Sequence, residues 1–498
     1  MPLSRITSTF SFSSKSGDLR SRERRSPDLH HSILMIRIFL FALLTPCLYG
    51  TTLTDTQGRS IEVDILEVSD DSVKVRRSDG YVFNIPFSSL STESKGKLKQ
   101  SSESEPTNET YDFESLNQLL ELKLWKDTNL WDDPVDQVAK RLGWPRESKT
   151  GTQSSYRIYF RRENSIAGAR PYTAVLYGRE GKVDYLSVMF ANKGDSVPPG
   201  SVEDMDEAFE KVNDAIDADL ESISARFDTL GESQNEIGGI SRGMKERAVR
   251  WDTGNNSFWL AAVENEYIAL RIMPPELADT WGRPEYQSDE TVRQAAAANV
   301  KENKFGDVLI QNIPMVNQGP KGYCVPATIE RCLRYMGIRA DMYTLAMAGS
   351  TTIGGGTRLS DIIEGTSSYV RRSSRKMETI SDDVSIKTVS EYIDQGQPLM
   401  WTMYSTNAYN RIANSITKQR RGATDYKEWR KTLRDILRDA PDLLPDRTQG
   451  HLCMIVGYNK NTDEIAVSDS WGPRYELRWI TAEQADMVSQ GSFYIIDF

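Results

Sequence analysis

Beyond residue 31 the chain holds a single histidine, His451, and it stands 18 residues ahead of Asp469. Any chemistry in that part of the protein that needs an imidazole must use it. Cys324 opens a stretch expected to be helical, behind the turn Gly319-Pro320-Lys321-Gly322, and Gln318 precedes that turn. A cysteine in the first turn of a helix sees the positive end of the helix dipole; with an imidazolium nearby, that field favours thiolate over thiol. If the turn folds back, the Gln318 amide N–H and the Cys324 backbone N–H supply the two donors of an oxyanion hole. Asp469 would accept one ring N–H of His451 and leave the other nitrogen facing the thiol. The chemistry of such a set is acyl transfer through a thioester. An asparagine at position 469 would still serve, because its amide oxygen can accept the ring N–H.

These side chains need particular elements to meet. Residues 324–336 should form the helix, with Ile329, Leu333 and Met336 on its inner face and Gly337 as its stop. His451 begins the alternating apolar run 452–458, a strand, and residues 464–469 form the next strand of a hairpin turning at 459–463. Antiparallel pairing brings Asp469 back beside His451, and the ring of Trp471 can shield their bond from water. Residues 307–313 and 397–401 read as further strands of the same domain. The insert 405–448 carries ten Arg/Lys and six Asp/Glu with a helix at 426–438. It is expected to act as a lid or basic rim for acidic peptides, or simply to form a solvated helical excursion. Cys332 falls on the inner side of the first helix, and Cys453 shares a strand face with His451. Gly354-Gly355-Gly356 lacks the Lys-Ser/Thr ending of a phosphate loop and reads as a turn.

In this order, Gln318, Cys324-Val325-Pro326-Ala327-Thr328, His451-Leu452-Cys453-Met454-Ile455-Val456-Gly457-Tyr458 and Asp469-Ser470-Trp471-Gly472 resemble the papain-like cysteine peptidase superfamily, more closely its peptidase C39-like branch. The resemblance covers residues 305–498. It implies Cys324 as nucleophile, His451 as general base and acid, Asp469 as the orienting third member and Gln318 as oxyanion donor. It also implies a peptide or protein substrate and no cofactor. One position departs: the branch usually has glycine after the cysteine, and Val325 stands there. Processing of double-glycine leader peptides is not implied, since no ATP-binding or transmembrane part is read in this sequence. An amidase or transpeptidase on the same triad, and a catalytically silent protein-binding scaffold, are the alternatives.

The rest of the chain gives an α+β multidomain protein. Residues 1–34 are read as an upstream extension that is not native to the protein, with Met35 as the true start. Residues 35–50 form a signal peptide with a basic start and a roughly 12-residue apolar core, too short for a membrane span of about 20 residues. A secreted or periplasmic protein is expected, with no integral membrane segment after cleavage. A lipid anchor on Cys47 is not expected, because Pro46 fits a lipobox poorly. Residues 1–50 carry seven Arg/Lys against three Asp/Glu, so their removal takes the net charge from −10 to about −14. Nucleic acid is excluded as a natural partner. Three cysteines remain, without a CxxC or companion histidines, so neither a disulfide framework nor a metal site is expected. Residues 51–100 alternate as short strands with tight turns. Through Asp55-x-x-Gly58-Arg59, Asp79-Gly80 and Ile85-Pro86-Phe87-Ser88-Ser89-Leu90 they resemble the SLA1-homology-1 (SHD1) module, an SH3-like β fold, which implies binding of a protein partner or surface; a stable spacer with no ligand is the alternative. Residues 101–110 form a linker. Residues 111–275 read as an α+β domain with an internal duplication, each copy a helix, a glycine and a three-stranded meander: 135–142 with Gly143, and 223–230 with Gly231. Residues 276–304 form a helical linker.

Overall fold

The computed structural model describes residues 51–69, 71–77, 82–103, 112–127, 129–197, 204–239, 245–283, 287–353 and 356–498. The upstream extension, the signal segment with Cys47, the Asp79-Gly80 turn, Gly354-Gly355 and most of the expected linker lie outside these residues. The chain divides into two compact units, 1–103 and 104–498. No helix among the described residues is long and apolar enough to cross a membrane.

In the first unit, β1 (Thr51–Thr54), β2 (Ser60–Val68), β3 (Ser72–Arg77) and β4 (Val82–Pro86) pair in sequence order as an antiparallel sheet. The turn at residues 55–59 forms because the Asp55 carboxylate accepts the backbone N–H groups of Gln57 and Arg59 while Gly58 takes a positive φ. Leu53, Val63, Val73, Val75 and Leu90 make its small core. A helix, Thr92–Glu103, runs through the expected module boundary and into the first residues of the expected linker. Ser91 caps its start and buried Leu98 anchors it, which the polar composition of this stretch hid.

The second unit contains two eight-stranded sheets. The first comprises β5 (Arg146–Lys149), β6 (Gln153–Tyr159), β7 (Thr173–Arg179), β8 (Lys182–Asn192), β9 (Gln234–Gly239), β10 (Lys245–Thr253), β11 (Asn256–Val263) and β12 (Tyr267–Met273). Its order, β5-β6-β7-β8-β12-β11-β10-β9, joins two four-stranded meanders through antiparallel β8 and β12. The polar strands β5 and β9, lacking apolar alternation, extend each expected three-stranded meander. The helix Val135–Leu142 ends at Gly143 as expected. The second helix is much longer than 223–230: it spans Met205–Phe227, burying Val212, Ile216 and Ile223, and a single 3-10 turn carries the chain on to Leu230.

The second sheet runs β13 (Val300–Glu302), β14 (Asp307–Ile310), β17 (Gly450–Asn459), β16 (Leu399–Tyr404), β20 (Ser489–Asp497) and β15 (Lys376–Ile380), while β18 (Glu464–Ser468) and β19 (Arg478–Thr481) continue from β17. The Ala-rich helix of the expected linker stops at Asn299, because Val300–Glu302 pairs with β14 instead. The helix Cys324–Tyr335 lies between the two sheets, and every residue from Val325 to Arg334 is buried. Thr328 of this helix donates to the Leu452 carbonyl of β17. From the first sheet, the Gln153 side chain donates to the Arg334 carbonyl and Tyr177 donates to Glu330.

Candidate active site

Cys324 is the first residue of its helix, and Tyr323 before it makes no side-chain cap. The first-turn N–H groups are therefore left to act on the thiol end of the helix. Cys324 is part-exposed, unlike Cys332 and Cys453. Burial of the sulfur opposes charge, but a hydrogen bond to His451, its charge, and the backbone N–H groups of Leu452 and Val325 outweigh it and hold the thiol below its ordinary pKa. Val325, the departure from the branch pattern, is packed in the C-terminal core.

Pairing of β17 with β18 sets Met454 opposite Ser468, and the next residue, Asp469, returns to His451. His451 Nε2 lies 3.0 Å from Asp469 Oδ1, which leaves Nδ1 for the thiol. Burial alone would lower the imidazole pKa; the hydrogen bonds to Asp469 and Cys324 instead push it up to about 9. The Trp471 ring lies over the imidazole, with centroids 4.8 Å apart. Sequence reasoning missed the other partner of Asp469. Arg478 Nε donates to Oδ2 at 2.9 Å, and Arg478 itself is held by Asn410 Oδ1 at 2.8 Å. Burial disfavours the Asp469 carboxylate, but Arg478 and then His451 keep it below the usual range. An arginine inside the strand Arg478–Thr481, whose neighbours are Trp479 and Ile480, was the available signal: a buried guanidinium needs a carboxylate.

Gln318 is buried, and its backbone N–H donates to the Ser470 carbonyl at 2.9 Å, so it sits against the residue that follows Asp469. Its amide nitrogen donates one hydrogen to the Lys321 carbonyl at 2.9 Å. Arg331, two turns along the helix from Cys324 and buried, ties this region together by donating to the Pro314 carbonyl and to Ser468 Oγ.

The insert is not merely a solvated excursion, since its first helix packs into the core. It forms two helices, Asn407–Arg420 and Tyr426–Arg438. The first buries Tyr409, Ile412 and Ile416 and places Asn410 on Arg478. Its last residue, Arg420, pairs with Asp307 and Glu464, and Trp429 of the second helix donates to Glu464. The basic residues Lys427, Arg430, Lys431 and Arg434 face outward.

Cys332 is fully buried and its thiol is pushed up to about 12; burial likewise raises Cys453. Potential ligand atoms of His451, Cys453 and Asp469 lie within 4.8 Å of one another. They do not suit a cation: one carboxylate oxygen is taken by the His451 ring and the other by the Arg478 guanidinium.

Residues 310–488 match the model of the Peptidase_C39 like family. Among solved structures, the crystal structure of the peptidase domain of Streptococcus ComA, a bi-functional ABC transporter involved in a quorum sensing pathway, is similar over 37% of this chain and 96% of that domain. The identity is 13% and the TM-score 0.24. No curated protein matches the chain.

Proposed function

We propose that the protein is an exported cysteine peptidase. The observation that carries this is the relay from the Cys324 thiol through the His451 ring to the Asp469 carboxylate, built at a helix start. The C39-like match over the same residues supports it. The Cys324 thiolate attacks a peptide carbonyl, and the oxyanion receives N–H groups from Cys324 and Gln318. The His451 imidazolium gives its proton to the departing amine, leaving a thioester. His451 then takes a proton from water, hydroxide adds to the thioester carbon, and the acid and the thiolate leave.

Alkylation by iodoacetamide, mapped residue by residue across pH, tests this assignment. Cys324 should react rapidly near neutral pH, whereas Cys332 and Cys453 should stay nearly inert because burial raises both thiols. Peptide hydrolysis should rise with pH as the thiolate forms and fall again near pH 9, where His451 loses the proton it must donate. Alkylation needs only the thiolate and should not fall there. Equal, slow labelling of all three thiols would sink the proposal.

Arg478 changes what is expected of Asp469. Asp469→Ala frees the imidazole and strands a buried guanidinium, so turnover should drop by about 10²-fold and stability by about 3–5 kcal/mol. Asp469→Asn is no longer a neutral exchange. One amide oxygen cannot serve both His451 and Arg478, and the NH2 group opposes one of them. A loss of about 1–3 kcal/mol, with reduced turnover, is expected in thermal melts and peptide assays. An unchanged melt and turnover for Asp469→Asn would show that the carboxylate neither orients His451 nor balances Arg478.

A further inference from the structure

The segment 311–323, between β14 and the Cys324 helix, contains no helix or strand, yet Met315, Val316, Gln318, Lys321 and Tyr323 are buried. A segment without internal hydrogen-bond ladders takes its conformation from whatever its backbone is bound to. Three of those backbone partners come from the first sheet, beside others on Asn299, Arg331, Gly356 and Ser470. Met315 N–H donates to Ser148 Oγ at 2.9 Å. Asn317 N–H donates to Glu147 Oε1 at 2.7 Å, and the Asn317 carbonyl accepts the Tyr159 hydroxyl at 2.6 Å. Both peptide planes flanking Asn317 are thus held from the first sheet, and one of them, 317–318, adjoins Gln318. Glu147 is itself fixed by Arg157 and Ser155, which share a strand face with Tyr159. Gly319, at φ +70°, lies against the Tyr159 ring, and a Cβ there would fall 2.7 Å from a ring atom. Lys321, whose carbonyl holds the Gln318 amide, pairs with Asp195 at 3.0 Å and lies over the Tyr159 ring.

We infer that β5–β8 form a platform that aims the oxyanion donors, with Glu147, Tyr159 and Asp195 as positioning residues for acyl transfer. The inference rests on Cys324 being the nucleophile, and it gives residues 111–275 a part in the reaction. Two chemistries separate the platform from the nucleophile. Acylation by p-nitrophenyl acetate passes through an oxyanion and needs the aimed donors. Alkylation by iodoacetamide is a direct displacement at sulfur and needs only the thiolate.

In the full chain, Tyr159→Phe keeps the ring against Gly319 and removes one hydroxyl. It should slow the p-nitrophenolate burst by about 10–10²-fold, and Gln318→Ala should slow it by about 10²–10³-fold. In both variants the alkylation rate of Cys324 and its pH profile should match wild type. Asp195→Asn should show the same split through Lys321. Glu147→Gln also strands buried Arg157, so Tyr159→Phe is the decisive arm. An undiminished burst in Tyr159→Phe, or alkylation falling in parallel with acylation, overturns the platform alone. Wild-type Cys324 alkylating no faster than Cys332 and Cys453 overturns the nucleophile and the platform together.

Discussion

Cys324→Ala is expected to abolish peptide hydrolysis, lowering turnover by on the order of 10⁶-fold. No second thiol can take over. Cys332 and Cys453 are buried and their thiols are raised, so neither is ionised near neutral pH nor open to a substrate carbonyl. The substitution should leave the fold intact, because it strands no buried charge: Asp469 keeps both His451 and Arg478. Turnover of a fluorogenic peptide pool, read beside a thermal melt, checks both halves. A folded Cys324→Ala protein that still cleaves would move the nucleophile elsewhere.

His451→Ala should cost turnover about 10³–10⁴-fold at neutral pH. One ring supplies the thiolate's counter-charge, the proton for the leaving amine and the base for water. Without it, burial is the main influence left on Cys324, and burial raises the thiol. Alkylation should therefore fall near neutral pH and recover only as the pH is raised. The carboxylate left behind is not orphaned, since Arg478 still holds Oδ2, so the variant should fold. A wild-type alkylation profile in His451→Ala would show that the imidazole is not the partner of the thiol.

Much of the site's skeleton was readable from the sequence because it is local or nearly so. The helix opening at Cys324, the strand opening at His451 and the hairpin returning Asp469 follow from periodicity and turn residues over short spans. The groups that tune and brace the site were not readable. Arg478 and Asn410 reach it from another strand and from the insert, and Tyr159 and Glu147 act across more than 150 positions. No period or spacing encodes such pairs. The insert misled for a related reason: its many charges read as solvated, yet Arg420 is buried between Asp307 and Glu464. In the middle region, β5 and β9 were missed because they are polar strands at the two edges of their sheet, where no apolar alternation is needed.

The enclosure of the Cys324 helix also bears on when the site can assemble during synthesis. Its wrapping residues are drawn from β6, β7 and β17, which leave the ribosome long before and long after the helix itself. Contacts of such high sequence separation form late, after the loop-closure cost of joining distant segments has been met. A nascent or half-folded chain thus has the thiol but neither the imidazole nor the aimed donors beside it. Under the proposed function, competence to cut should arrive only with completion of the whole unit.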